Sequence, residues 1–295
     1  MKKICRPFFL ATFLVVLALA APVDANPNKA ATATTDEYTI SVIPFYGPEK
    51  IWALYTPFVE FLRESTGRPW SLKLFPNHES LIAGLCEGKT AFAMLGPVPL
   101  GRVIDRCRAE PLLVALGKDG TPYYRSVIVS TDPSITTLAE LKGKRFGFFK
   151  GSTAAHILPR KVLRQAGLGK DDIVPVFFEG QDHIINALLR RRIAAAGLKE
   201  ALYLKFQGEP LRVLAYSTPV PNFAFAVAPG TSAATRKLLV DALLKLAPGE
   251  NDSDRKRMAA WDDEVRNGFI LPDSSFRSMV KEMLIATEEV MREDR

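Results

Sequence analysis

Arg145-Phe-Gly-Phe-Phe-Lys-Gly-Ser-Thr-Ala-Ala-His156 is the stretch on which the reading of this chain turns. The apolar run Arg145–Phe149 reads as a buried strand. A Gly-Ser-Thr turn follows it, and a helix predicted over Ala154–Ala166 opens directly from the turn and ends at Gly167. The first amides of such a helix have no acceptor within it, and its dipole leaves partial positive charge there. With the hydroxyls of Ser152 and Thr153 added, the turn offers a seat to a tetrahedral oxyanion. The same two residues are also ordinary N-caps, a role any helix can use.

Outward from this unit the pattern repeats. Upstream, strands are predicted at Tyr38–Pro44, Ser71–Phe75, Ala91–Leu95 and Leu112–Leu116. Between them lie an amphipathic helix Ile51–Thr66, with Ile51, Leu54, Tyr55, Phe58, Phe61 and Leu62 on one face and Gly67 as its stop, a helix Glu79–Glu87 closed by Gly88, and a short helix to Cys107. Downstream come strands at Ile173–Phe178, Ile193–Ala196, Leu211–Ser217 and Phe223–Ala228, helices at Ile184–Arg191 and Glu200–Phe206, and a helical tail Ala233–Ala247, Asp252–Trp261 and Ser274–Arg292. Alternation of this kind implies an α/β fold of two lobes, each an open, mostly parallel sheet flanked by helices, with a ligand cleft between them. Tyr123–Ser130 and 216–228 read as crossings. Lobe one is then 38–122 plus 220–295, and lobe two is 123–219.

The N-terminus has its own signature. Lys2, Lys3 and Arg6 precede an uncharged run, Phe8 to Ala21, and small residues at Val23 and Ala25 place cleavage before Asn26, with Ala20/Ala21 as the second choice. Residues 1–25 are therefore expected to be a secretion signal, with an uncleaved anchor as the alternative, and 26–37 a flexible lead-in. Removing 1–25 takes away three basic side chains and one acidic one, so a formal charge of +7 becomes +5. That mild excess is compatible with an anionic ligand. The densest basic run, Arg190-Arg191-Arg192, closes an apolar-periodic helix and lacks the stacking aromatics of a nucleic-acid surface. With 47% hydrophobic residues and three cysteines, neither a disordered chain nor a disulfide scaffold is expected. Export would leave Cys86 and Cys107 as a pair, either a disulfide or two buried thiols.

Catalytic signatures are missing: no Gly-rich nucleotide loop, no Gly-x-Ser-x-Gly elbow and no His-Glu-x-x-His. The three histidines, His78, His156 and His183, lack metal-ligand spacing, and Ser152 with His156 has no orienting acid. No metal and no cofactor is expected. A second strand-to-helix turn at Met94-Leu-Gly-Pro-Val98 lets backbone approach a ligand at Gly96 with Pro97 opening the helix, and Tyr46 in Phe45-Tyr-Gly-Pro48 offers a hydroxyl.

In order along the chain, Leu95-Gly-Pro-Val98, Tyr123-Tyr-Arg-Ser-Val-Ile-Val129, Arg145-Phe-Gly-Phe with Gly151-Ser-Thr153, Glu179-Gly-Gln-Asp-His183, Thr218-Pro-Val-Pro-Asn222, and Gly268-Phe269 with Asp273 to Phe276 resemble the periplasmic phosphonate/phosphite/phosphate-binding subunits of ABC transporters, a branch of the type II periplasmic binding proteins. The resemblance implies a periplasmic, monomeric, non-catalytic receptor that closes on a small oxyanion and delivers it to an inner-membrane permease. The alternative on the same fold is an exported sensor component with a different small anion. It further implies that Tyr46, Gly96 and Pro97 serve from lobe one, that Ser152 and Thr153 hold phosphoryl oxygens with a hydrogen bond from His183, and that Ser126 and Asn222 belong to the site. Two positions depart from the family pattern: Ala194 and Phe223 stand where an acid is common, which disfavours an aminoalkylphosphonate. Lys199 and Glu200 are near enough in sequence to substitute.

Overall fold

The computed structural model of the chain describes residues 38–293; the expectations for the secretion signal and the lead-in fall outside them. The chain begins with β1 (Thr39–Val42), α1 (Pro48–Thr66), β2 (Ser71–Lys73), α2 (His78–Cys86), β3 (Phe92–Leu95), α3 (Pro97–Cys107) and β4 (Glu110–Ala115). It crosses at β5 (Tyr123–Tyr124) into β6 (Ser126–Ser130), β7 (Arg145–Phe149), α4 (Leu158–Gln165), β8 (Val174–Phe178), α5 (Gln181–Leu189), β9 (Ala195–Lys199), α6 (Glu200–Tyr203) and β10 (Arg212–Tyr216). It returns through β11 (Val220–Pro221) to β12 (Ala224–Val227), α7 (Ala233–Leu244), α8 (Asp252–Met258), β13 (Phe269–Ile270) and α9 (Ser274–Glu293).

These strands make two sheets, ordered β13-β4-β12-β3-β1-β2 and β10-β6-β9-β7-β8, with β5 and β11 paired antiparallel as the double crossing. In the first sheet β1, β2, β3 and β4 share one direction, while β12 runs against both β3 and β4. In the second, β7, β8, β9 and β10 share a direction and β6 is the reversed strand. Each crossing segment thus feeds a reversed strand into the middle of a sheet. The carboxyl ends of β1 to β4 and of β7 to β10 then face the cleft, as open α/β sheets require of a ligand site, while the edge strand β13 runs against β4.

The first core forms because α1 lays Ile51, Tyr55, Phe58 and Leu62 along one buried face. Pro48 opens this helix, and Gly67 ends it in the left-handed conformation (φ 63°). Phe58 stacks on Phe225 of β12 at 5.7 Å and meets the edge of Trp261 at 5.0 Å. Burial of one such ring is worth about 2–3 kcal/mol. This packing ties the segment after α8 to the first sheet. α9 lies on α3, where Gly101 leaves only 3.1 Å between the site of an added Cβ and Leu284 Cβ. Cys86 and Cys107 are joined in a disulfide that links the ends of α2 and α3. No helix among the described residues is long and apolar enough to cross a membrane.

Three elements differ from the sequence pattern. The strand expected over Tyr123–Ser130 breaks at Arg125, because its first two residues pair with β11 and its remainder enters the second sheet. The strand expected to end at Ala196 runs on to Lys199, held by pairing with β6. The helix expected from Ala154 begins as a wide π turn, Thr153–Ile157, before α4. The amides of His156 and Ile157 both reach the Ser152 carbonyl, and Pro159 has no amide to continue a regular ladder. Gly197 on β9 makes room for this turn, since a Cβ there would lie 2.0 Å from Pro159 Cγ.

Candidate functional site

The two lobes meet over a small cavity with a volume of about 50 Å3, enough to admit water. Its floor is the end of β7. Gly151 turns the chain at φ 77°, its amide donating to His156 Nδ1 at 3.1 Å. Ser152 caps the following turn, its Oγ accepting from the Ala155 amide at 3.2 Å. The amides of Thr153 and Ala154 have no acceptor among the described hydrogen bonds. Thr153, only 5% exposed, lines the cavity with an Oγ1 that makes no well-formed hydrogen bond, its one polar neighbour being the Tyr124 phenol. An unsatisfied buried hydroxyl costs about 1–3 kcal/mol, so its retention beside two free amides at a helix start marks a place for an acceptor-rich ligand.

The opposite wall comes from lobe one. Tyr46 and Gly96 line the cavity, and an added Cβ on Gly96 would lie 3.6 Å from the Phe223 ring and 3.9 Å from Thr153 Oγ1. Glycine therefore lets the lobes approach closely here. α3 contributes less than a helix N-terminus usually would, because Pro97 and Pro99 leave Val98 as the single amide of its first three residues. His78, the first residue of α2, reaches the same space. Burial, with Arg102 adding to it, pushes its imidazole down to about 4, and its Nε2 is buried without a partner. A neutral imidazole in this position keeps one N–H to donate.

Lys199, at the carboxyl end of β9 and 6% exposed, projects into the cleft and pairs with Glu264 from the segment between α8 and β13. Its ammonium also donates to Asn222 Oδ1 at 3.1 Å and lies 4.4 Å from both the Tyr124 and Phe223 ring centroids. Burial lowers its pKa, while Glu264 opposes the change. Lys205 pairs with Asp263 in the same way, so two ion pairs span the cleft. Asp262, also lining it, accepts from the Tyr55 hydroxyl at 3.3 Å and from the Glu264 amide at 3.0 Å; burial first, then Glu264, pushes its carboxyl up to about 6. Burial and then the same carboxylates hold the Tyr46 phenol far above its usual range, so it remains a donor.

The structure separates the residues singled out from sequence. Tyr46, Gly96, Ser152 and Thr153 meet in the cavity. Pro97 is buried behind Gly96 and contributes no polar atom, as a proline must. Ser126 is buried and spends its hydroxyl on the Ala154 carbonyl at 2.6 Å, which positions the π turn instead of a ligand. Asn222 acts one step away, holding Lys199 while donating to the Ala115 carbonyl at 3.1 Å. His183 lies on the exposed side of α5 and lines a larger adjoining cavity of about 780 Å3, because the apolar Ile184, Ile185 and Leu188 turn the opposite face inward. His156 is buried against Phe148 and Phe177 and does not line the cavity, but holds its floor by accepting from the Gly151 amide. Ala194 sits beside Arg145 at the far end of β7, roughly 16 Å along the strand from Lys199, so the missing acid there faces no ligand. Glu200 pairs with Arg125 outside the cavity, whereas Lys199 is turned inward.

His78, Asp262 and Glu264 carry no local motif, whereas Tyr124 and Gln181 lie within the segments Tyr123–Val129 and Glu179–His183 without standing out there; Tyr124 is brought in by the crossing, and Asp262 and Glu264 follow the apolar anchor Trp261. Among the described residues no group of three His, Cys, Asp or Glu is placed to hold a metal ion.

Residues 40–275 match the family described as "ABC transporter, phosphonate, periplasmic substrate-binding protein". The chain belongs to this family. Its relatives include the phosphonates-binding periplasmic protein of Escherichia coli, 23% identical over 144 residues, a match covering 48% of this chain and 41% of that protein. Among solved structures, PhnD1 from Prochlorococcus marinus in complex with methylphosphonate superposes with a TM-score of 0.70 at 16% identity, covering 86% of this chain and 96% of the other. A Xanthomonas citri protein bound to ATP gives 0.71 at 16% identity, covering 87% and 98%. The candidate site of this chain lies where the two sheets converge on the double crossing.

Proposed function

We propose that this chain is a non-catalytic periplasmic receptor that closes on a small phosphorus oxyanion, of the phosphonate, phosphite or phosphate type, and presents it as a monomer to an ABC permease in the inner membrane. The observation that carries the reading is the pair of buried polar atoms without a well-formed hydrogen bond, Thr153 Oγ1 and His78 Nε2, facing one cavity beside the acceptor-less amides of Thr153 and Ala154. One phosphoryl group has enough oxygens to satisfy all of them, with the Tyr46 hydroxyl opposite.

The carboxylates argue for a hydrogen-bearing anion. Asp262 and Glu264 line the same space, each using a single carboxylate oxygen in the described hydrogen bonds, and a P–OH group can donate to the other oxygen where a fully ionised sulfonate can only be repelled. Ligand contacts come from both sheets, so they form only when the lobes are together; β5 and β11 are the two strands about which they would part.

Titration of the protein with methylphosphonate, phosphite, phosphate and methanesulfonate by calorimetry tests this. The reading expects binding of at least one phosphorus oxyanion and a preference of tenfold or more over methanesulfonate. Absence of heat and of thermal stabilisation with every phosphorus oxyanion would refute it. His183→Ala should leave that binding within twofold, since His183 lies outside the small cavity.

A further inference from the structure

Lys199 occupies a complete ammonium seat. Its Nζ has a carboxylate (Glu264), an amide oxygen (Asn222 Oδ1, 3.1 Å) and two aromatic faces (Tyr124 and Phe223, each 4.4 Å away) around it, and the residue is almost wholly buried at the edge of the ligand cavity. Anionic, amide and π groups arranged in this way are what a protein offers to an organic cation. Here the chain fills the place itself. The other carboxylates of the cavity are engaged as well: Asp263 by Lys205, and Asp262 by the Tyr55 hydroxyl and the Glu264 amide. A ligand carrying its own ammonium would therefore have to displace Lys199 from Glu264, and would bring a second positive charge beside the first.

We infer that Lys199 makes this a receptor for phosphorus oxyanions without an amino group, by occupying with its own ammonium the seat an aminoalkyl substituent would need. The inference rests on the oxyanion reading above and sharpens it to a substrate class. It also explains a lysine buried beside the neutral donors Thr153, His78 and Tyr46. Lys199 supplies positive charge at the rim of the anion's cavity, and its pairing with Glu264 brings lobe two against lobe one.

The test compares methylphosphonate with 2-aminoethylphosphonate by calorimetry at neutral pH, on the wild-type protein and on Lys199→Ala. Wild type should bind methylphosphonate at least tenfold more tightly than 2-aminoethylphosphonate. Lys199→Ala vacates the seat, so the ratio should move at least tenfold toward the amino compound. Added ethylammonium should restore methylphosphonate binding to the variant, a rescue that a purely structural lysine would not show. The double variant Lys199→Ala/Glu264→Gln removes the carboxylate as well and should lose the gain for the amino compound. Should Lys199→Ala not fold, the wild-type ratio decides alone. Equal or tighter binding of 2-aminoethylphosphonate by wild type, with methylphosphonate still bound, overturns this inference and leaves the oxyanion reading in place. No binding of either compound, nor of phosphate or phosphite, overturns both.

Discussion

Thr153→Val should weaken ligand binding and at the same time stabilise the empty protein. Valine is close in shape to threonine and lacks the hydroxyl, so the replacement leaves the packing of the π turn nearly unchanged. In the free protein Thr153 Oγ1 is buried with no well-formed hydrogen bond, and relieving such a group is worth about 1 kcal/mol, the low end of its range because the Tyr124 phenol lies beside it and the cavity has room for water. For a chain of this size that is a Tm higher by about 2–4 °C. In the complex the hydroxyl donates to an ionised oxygen, a bond worth about 1.5–3 kcal/mol, so Kd should rise roughly 10- to 150-fold. Scanning calorimetry on the ligand-free protein and titration with methylphosphonate measure the two effects. A lower Tm, or an unchanged Kd for an oxyanion that wild type does bind, would refute the claim that this hydroxyl is kept for the ligand.

Other consequences concern pH, covalent structure and packing. His78, pushed down to about 4, takes up its proton more readily when unfolded, so its contribution to stability is lost as pH falls from about 6.5 to 4. Asp262, pushed up to about 6, is protonated more readily when folded, so its contribution is lost as pH rises from about 4 to 6. Each shift is worth up to about 3 kcal/mol; wild-type stability should therefore be nearly flat over this window. His78→Gln should become less stable with rising pH and Asp262→Asn more stable, and parallel urea-unfolding profiles for the three proteins would contradict this. The disulfide closes a loop of 21 residues, worth about 3 kcal/mol, so Cys86→Ser/Cys107→Ser should lower Tm by about 6–12 °C; an unchanged Tm would count against it. Gly197→Ala places a Cβ 2.0 Å from the rigid Pro159 ring, which should cost about 3 kcal/mol and shift the π turn enough to impair binding. Wild-type stability and affinity in that variant would show the contact to be soft.

Much of the architecture is local information. The apolar periodicity of Ile51–Leu62 with its Gly67 stop, the all-buried run Phe92–Leu95 and the strand-turn-helix at Phe146–His156 each specify an element through side-chain spacing and backbone preference, and neighbours in sequence suffice for that. For the same reason the Ser152–Thr153 turn was legible as a candidate oxyanion seat, and Tyr46 and Gly96 as positions at strand ends. Tertiary structure decided which of these polar groups share a space. Ser126 and Thr153 are alike on paper, but only Thr153 keeps a hydroxyl in the cavity with no well-formed hydrogen bond. His183 and His78 both stand in the first turn of a helix, and the apolar face of α5 turns the former outward. Lys199 and Glu264, 65 residues apart, meet because β9 points its carboxyl end at the cleft while Trp261 anchors the other segment on Phe58. Helices and strands follow from neighbours a few residues away; charge pairing and cavity lining follow from how two sheets close on each other, and contacts so distant along the chain leave no periodic trace in it.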